Sequence, residues 1–340
     1  MEIGISTFVE TTPIDGKTIS HDERIRQIIE EVKLADKIGL DVYGIGEHHR
    51  EDFAASNPAT ILAAAAVVTK NIKLTSAVTV LSSADPVRIF QDFATVDALS
   101  NGRAEIMAGR GSFTESFPLF GYDLRDYHEL FEEKLELLLK IRKNNKEVHW
   151  KGSHRASING LGVYPNPVQN PLPVWLGSGG NQESVIRAAN LGLPVTLAII
   201  GGNPLYFAPL VKLYKETLTK NGYKQLPVAS HSHGFIWDTD EEADNLFYPS
   251  TELVMNRIGR ERGWPPYTRH SFEEAKKLEG ALYVGNAEYV AEKIIMLNKN
   301  VGINRFFLHL PLGTMPHDQV MRAIELLGEK VAPIVREKTK

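Results

Sequence analysis

Short apolar strands alternate with helix-patterned segments about eight times along this chain, and few folds can absorb that rhythm. The expected strands are Ile3–Val9, Val42–Glu47, Ile72–Leu81, Ala104–Ala108, Pro173–Gly177, Val195–Ile200, Val228–Trp237 and Arg305–Leu310. Ser20, Asn57-Pro58, Asp85-Pro86 and Thr239-Asp240-Glu241 mark helix starts. Their side chains can accept from first-turn amides, and proline fits the first helical position. Asn101-Gly102 marks a helix end. The run Val195-Thr196-Leu197-Ala198-Ile199-Ile200 has no polar face, which implies burial on both sides and parallel pairing. Eight such units without a compositional break predict one domain, residues 1–340, folded as a closed (β/α)8 TIM-like barrel. An open doubly wound sheet is the alternative. Two segments break the pattern: Val148 to Pro171, read as a surface hairpin inserted before the fifth strand, and Trp264 to Glu279, an insertion before the eighth strand and a candidate lid.

Composition narrows the function classes. The 340 residues are 43% hydrophobic and carry a net charge of -4 with both signs interspersed. No basic stripe offers itself to a phosphate backbone, so no nucleic-acid partner is expected. Ile61 to Val68, the longest apolar stretch, is too short to cross a bilayer. The start, Met1-Glu2-Ile3-Gly4, is acidic and leads directly into a strand, so no signal peptide is expected. With zero cysteines, disulfides, thiolate metal sites and a cysteine nucleophile are excluded, which is compatible with a cytoplasmic location.

In a (β/α)8 barrel the reactive face lies at the C-terminal ends of the strands. Those ends carry Ser6, Thr7 and Phe8; Glu47, His48 and His49; Ser76, Ala77 and Thr79; Gly109-Arg110-Gly111-Ser112; Gly177-Ser178-Gly179-Gly180-Asn181; Gly201-Gly202-Asn203; His231-Ser232-His233; and His309. Ionisable groups at a strand end cost free energy unless each finds a partner, so the Glu47-His48-His49 run points to a site. Gly179, Gly180 and Asn181 join a strand to a helix N-terminus, where unpaired amides favour an anion. Arg110, between two glycines, can present a planar fork to a phosphate or carboxylate. A dinucleotide fingerprint is missing from the first βα turn. His231 and His233 lie two apart on a strand and so face one side. With Glu47 or His49 they could hold a divalent metal, which leaves a metal-dependent hydrolase as an alternative.

Taken in order, Glu47-His48-His49, Leu74-Thr75-Ser76-Ala77-Val78, Asp85-Pro86-Val87-Arg88, Leu99-Ser100-Asn101-Gly102-Arg103 and Gly109-Arg110-Gly111 resemble the bacterial luciferase-like flavin monooxygenases. The likeness runs densely to Pro194 and more loosely beyond. It implies a barrel that binds reduced FMN, supplied by a separate NAD(P)H:flavin reductase, and uses oxygen to oxygenate a small organic substrate. It implies His48 beside the flavin with Glu47 adjacent, Arg110 on the phosphate with Gly109, Gly111, Gly179, Gly180 and Asn181 nearby, and a non-proline cis peptide at Ser76-Ala77. His49, His231 and His233 would face substrate. A homodimer is implied by analogy. The second phosphate-binding arginine of light-emitting relatives is not evident, and His128 falls near its place. The same barrel could serve a deazaflavin in hydride transfer, or bind flavin without turnover.

Overall fold

The computed structural model describes residues 1–13 and 17–340. Among the described residues twelve strands are present: β1 Glu2–Thr7, β2 Val42–Ile45, β3 Lys73–Ser76, β4 Thr79–Val80, β5 Ala104–Gly109, β6 Val148–Trp150, β7 Ile158–Leu161, β8 Val174–Ser178, β9 Val195–Ala198, β10 Val228–Ile236, β11 Tyr283–Gly285 and β12 Arg305–His309. Eight of them pair in parallel, in the order β10-β12-β1-β2-β3-β5-β8-β9, and β9 pairs back onto β10. The sheet therefore closes into the expected (β/α)8 barrel, and the open doubly wound alternative falls. Among the described residues no helix is long and apolar enough to cross a membrane.

The helix starts follow their caps. Ser20, Asn57, Asp85 and Thr239 each accept a hydrogen bond from a first-turn amide, as the spacing requires. The helix Pro86–Ser100 ends at Asn101 with φ 56°, a left-handed turn that asparagine tolerates. β6 and β7 form the antiparallel hairpin before the fifth barrel strand.

Three expectations need correction. The third strand is not continuous: it breaks between β3 and β4, where the Ala77–Val78 peptide is cis, one bond later than Ser76-Ala77. The Trp264-to-Glu279 segment contains a helix, Arg269–Lys276, and is followed by the short strand β11 on β10, which sequence reading missed. The sequence pattern also predicts one closing helix from His317 to Val335, and the structure interrupts it with a π-helical turn, Leu327–Val331.

Inside the barrel the side chains lie in layers. Glu2, Glu105 and Arg305 occupy the N-terminal end, with the Arg305 guanidinium 4.3 Å from the centre of the Trp175 ring. Above them Val42, Met107, Trp175, Ala229 and Phe307 form a separate apolar cluster, against which Val78 packs. This plug is a floor, and it leaves the C-terminal mouth free to hold a cavity.

Candidate active site

A cavity of about 340 Å³ opens at the C-terminal mouth, within the size range of small-ligand pockets. Of the residues singled out from sequence, it brings together Glu47, His48, His49, Ala77, Gly109, Arg110, Gly111, Gly179 and His231. Ser76, Gly180, Asn181 and His233 do not line it. Each has another engagement or position. Ser76 Oγ accepts from the Met107 amide at 3.1 Å and donates to its carbonyl at 3.2 Å, which ties β3 to β5 beside the strand break. The Gly180 amide donates to Ser178 Oγ. Asn181 caps the helix Gln182–Asn190 through the Ser184 amide. His233 sits deeper, against His309.

The Glu47 carboxylate is committed. One oxygen is hydrogen-bonded to His49 Nε2 at 2.9 Å, and the other accepts from the Val80 amide at 2.8 Å. It thus satisfies an amide just past the strand break while fixing the His49 ring. With both oxygens engaged, Glu47 cannot complete a metal site with His231 and His233. Among the described residues no three His, Cys, Asp or Glu side chains are placed to hold an ion. The hydrolase alternative has no ligand set.

His48 stands among aromatic rings, with centroids 4.5 Å from Phe8, 4.4 Å from Phe53 and 5.1 Å from Phe113. Burial pushes its pKa down to about 3, with neighbouring His309, His49 and Arg50 adding repulsion. His231 is likewise pushed to about 3, first by burial and then by His309. Both imidazoles are therefore neutral at pH 7 and can donate from one nitrogen and accept at the other.

This has a measurable consequence. Between the ordinary histidine value of 6.5 and about 3, the unfolded chain binds protons at these positions that the folded chain does not. Stability therefore rises with pH across that window, is complete above it, and is lost as pH falls through it. Each group contributes about 1.4 kcal/mol per pH unit. Urea midpoints measured from pH 7 down to pH 4 should fall accordingly, and His48→Phe should flatten the slope. An unchanged slope in that variant would contradict the buried neutral state.

The rim carries the opposite chemistry. Arg110 Nη1 lies 3.2 Å from His128 Nδ1, and its guanidinium is 5.6 Å from the centre of the Tyr127 ring. Tyr127 in turn donates to the Gly111 carbonyl at 2.7 Å. Among the described residues Arg110 has no carboxylate partner, unlike Arg50, which is held by Asp52, Glu115 and Glu261. A cation left without a counter-charge beside a glycine loop suits an anionic ligand.

The glycines give the cavity its shape. A Cβ on Gly109 would stand 2.6 Å from the Val78 side chain, and one on Gly177 would stand 2.8 Å from it. Nothing lies within 4 Å of the Cβ position of Gly179. Val78 therefore occupies space that two missing side chains vacate, and the strand ends remain open to a flat ligand. Gly109→Ala should displace Val78 into the cavity at a stability cost of about 1–3 kcal/mol. A urea unfolding curve checks this, and an unaltered midpoint would mean that Val78 gives way freely.

Sequence reading placed Phe8 at a strand end of the reactive face and Val78 within a family-like motif without giving Val78 a role, and it did not single out Phe113 or Tyr127. The candidate lid does not line the cavity either. The end of the helix Asp240–Arg262 reaches the mouth instead, through Glu261 on Arg50 and Arg262 beside Phe113.

The fold and site define an α/β barrel with a glycine-lined cavity, neutral histidines within and, at its rim, an arginine that has no carboxylate partner among the described residues. The family model for luciferase-like monooxygenases matches residues 1–305, and the chain belongs to that family. It is 23% identical over 330 residues to the N-acetyl-S-alkylcysteine monooxygenase of Bacillus subtilis, covering 93% of this chain and 95% of the relative. Among solved structures it is similar to the oxygenating constituent of 3,6-diketocamphane monooxygenase from Pseudomonas putida in complex with FMN. That match has a TM-score of 0.79, 20% identity and 98% of both chains covered. The coenzyme F420-dependent tetrahydromethanopterin reductase of Methanopyrus kandleri gives a TM-score of 0.73 at 20% identity, again with 98% of both chains covered. The family and its monooxygenase members support an oxidoreductase.

Proposed function

We propose that this protein is an FMN-dependent monooxygenase that oxygenates a small organic substrate, with reduced flavin delivered by a separate NAD(P)H:flavin reductase. The observation that carries this reading is Arg110, a rim guanidinium without a carboxylate partner that adjoins the glycine loop of β8. The residues present suit the cofactor. Arg110 and His128 would hold the phosphate with the Gly179 backbone, and Val78 with Gly109 and Gly177 would support the ring. Bound reduced flavin supplies electrons to oxygen. The chain's part is to bind, orient and keep out water. Phe8, Phe53 and Phe113 surround His48 and limit water there, which favours productive oxygen chemistry over wasteful release of peroxide. Neutral His48 can give or take one proton at a ring nitrogen, and Glu47 positions the neighbouring loop.

A second reading has the likeness to the F420-dependent reductase in its favour: the same cradle would hold a deazaflavin for hydride transfer. Titrating the purified protein with FMN and with F420 while following fluorescence quenching separates the two. Saturable quenching by FMN alone supports the monooxygenase, and quenching by F420 alone would replace it. His48→Ala is expected to keep FMN affinity while oxygen consumption yields hydrogen peroxide in place of product. Undiminished coupling in that variant would take His48 out of the mechanism.

A further inference from the structure

Behind Phe8, on the side away from His48, lies a group of ionisable side chains that the cofactor reading does not use. It begins with a backbone outlier. Val9 has φ 59°, a left-handed conformation that a β-branched residue rarely adopts. Backbone of this kind persists where surrounding contacts hold it, and here they do. The Val9 amide donates to Thr7 Oγ1 at 3.1 Å, and the Val9 carbonyl accepts from the Ala54 amide at 2.8 Å. The turn drives Glu10 inward, where it is only 2% exposed. One Glu10 oxygen accepts from Thr7 Oγ1 at 3.2 Å, and the other is hydrogen-bonded to His309 Nε2 at 2.8 Å.

His309 is wholly buried, and its ring centroid lies 5.1 Å from His231 and 5.0 Å from His233. His309 Nδ1, His231 Nε2 and His233 Nδ1 are all buried without a hydrogen-bond partner among the described residues. Unpaired buried nitrogens are costly, and three in one place have a reason to be there. His231 alone of the three lines the cavity. The carboxylate accepts from His309 Nε2, so the Nε2–H tautomer is fixed and Nδ1 is left as a lone pair among the other two imidazoles.

We propose that Glu10, His309 and His231 form a buried proton relay for the cavity, in which His231 exchanges a proton with a bound oxygen-bearing group and His309, backed by Glu10, stores it. In the uptake direction an O–H bond in the cavity breaks and His231 receives the proton; the His231 and His309 rings, whose facing nitrogens have no partner at rest, then turn into hydrogen-bond contact and it passes to His309 Nδ1. His309 becomes an imidazolium hydrogen-bonded through Nε2 to the Glu10 carboxylate. No electrons move, and the reverse step returns the proton to an oxygen that gains charge. His231 serves as the conduit because it alone of the three lines the cavity, and His309 ends the relay because Glu10 holds its Nε2. The other charged or titratable groups around the cluster are His233, His48 beyond Phe8, and Arg24 and Tyr43 on the outer side of β1, which feel the Glu10 charge. The relay rests on the reading of the cavity as a flavin site. Glu10 is a positioning residue in it, acting through His309.

The test uses the full chain with histidine nitrogens labelled with ¹⁵N, without cofactor, as wild type and as the isosteric Glu10→Gln. Two-bond ¹H–¹⁵N spectra read each imidazole's tautomer directly. The wild type should show His309 protonated on Nε2, and Glu10→Gln should move part of that population to Nδ1 and shift the His231 signals. In a second arm, anionic reduced FMN is bound and its reoxidation by oxygen is followed by absorbance, a reaction that takes up one proton (FMNH⁻ + O2 + H⁺ → FMN + H2O2). Glu10→Gln should slow it about tenfold or more, with FMN quenching affinity unchanged. A His309 tautomer indifferent to Glu10→Gln, or unslowed reoxidation at equal affinity, overturns the relay. Failure of FMN to quench the wild type would fall on the cofactor reading, and the tautomer arm would still decide the relay.

Discussion

Replacing Arg110 with alanine is expected to weaken FMN binding by about 1.5–3 kcal/mol, the range for a hydrogen bond to a charged group. That corresponds to a dissociation constant about 10–150 times larger. The size follows from the rim geometry: among the described residues the guanidinium has an imidazole and a tyrosine ring beside it and no carboxylate, so a phosphate would supply the counter-charge. Arg110→Lys should recover part of the loss, because an ammonium supplies charge without the planar fork. Riboflavin, which lacks the phosphate, should bind wild type and Arg110→Ala almost equally. A dissociation constant for FMN unaltered by Arg110→Ala would remove the phosphate role.

Arg305→Met should be the most damaging single change, with a loss of about 3–5 kcal/mol of folding stability. Arg305 is 2% exposed at the base of the barrel, paired with Glu105 at 2.5 Å and with Glu2 at 2.6 Å. Removing it strands the Glu105 carboxylate in the interior, where a lone charge is poorly solvated. Adding Glu105→Met should restore most of the loss, because two apolar residues of similar volume can replace a buried pair. Denaturant unfolding of both variants measures this. A loss below about 1 kcal/mol for the single change would mean that water reaches the base of the barrel and screens the pair.

The fold was legible because its signals are local. Ser20, Asn57, Asp85 and Thr239 sit where the helices begin, and the apolar run of β9 announces burial on both faces. The active-site side of the sequence was legible where side chains gather at strand ends, as with His48 and Arg110. What escaped depends on contacts distant in sequence. Glu10 lies just after β1 and meets His309 across 299 positions, which no spacing reveals. His128 reaches Arg110 from the first turn of another helix. Asn181 looked like a ligand because a helix cap and an anion contact use the same atoms. Arg103 illustrates the converse: it stands within a family-like motif, yet its guanidinium binds the Ala66, Thr69 and Ile72 carbonyls and ties the end of the helix Pro58–Val68 to the barrel.

Val78 fills the gap left by both Gly109 and Gly177, so one isopropyl group sets the contour for two neighbouring strands. Enlarging the chamber for a bulkier guest by trimming Val78 alone would leave β5 and β8 both unsupported. Widening it productively calls for coordinated changes at all three positions, and laboratory evolution that samples one codon at a time would find that route slowly.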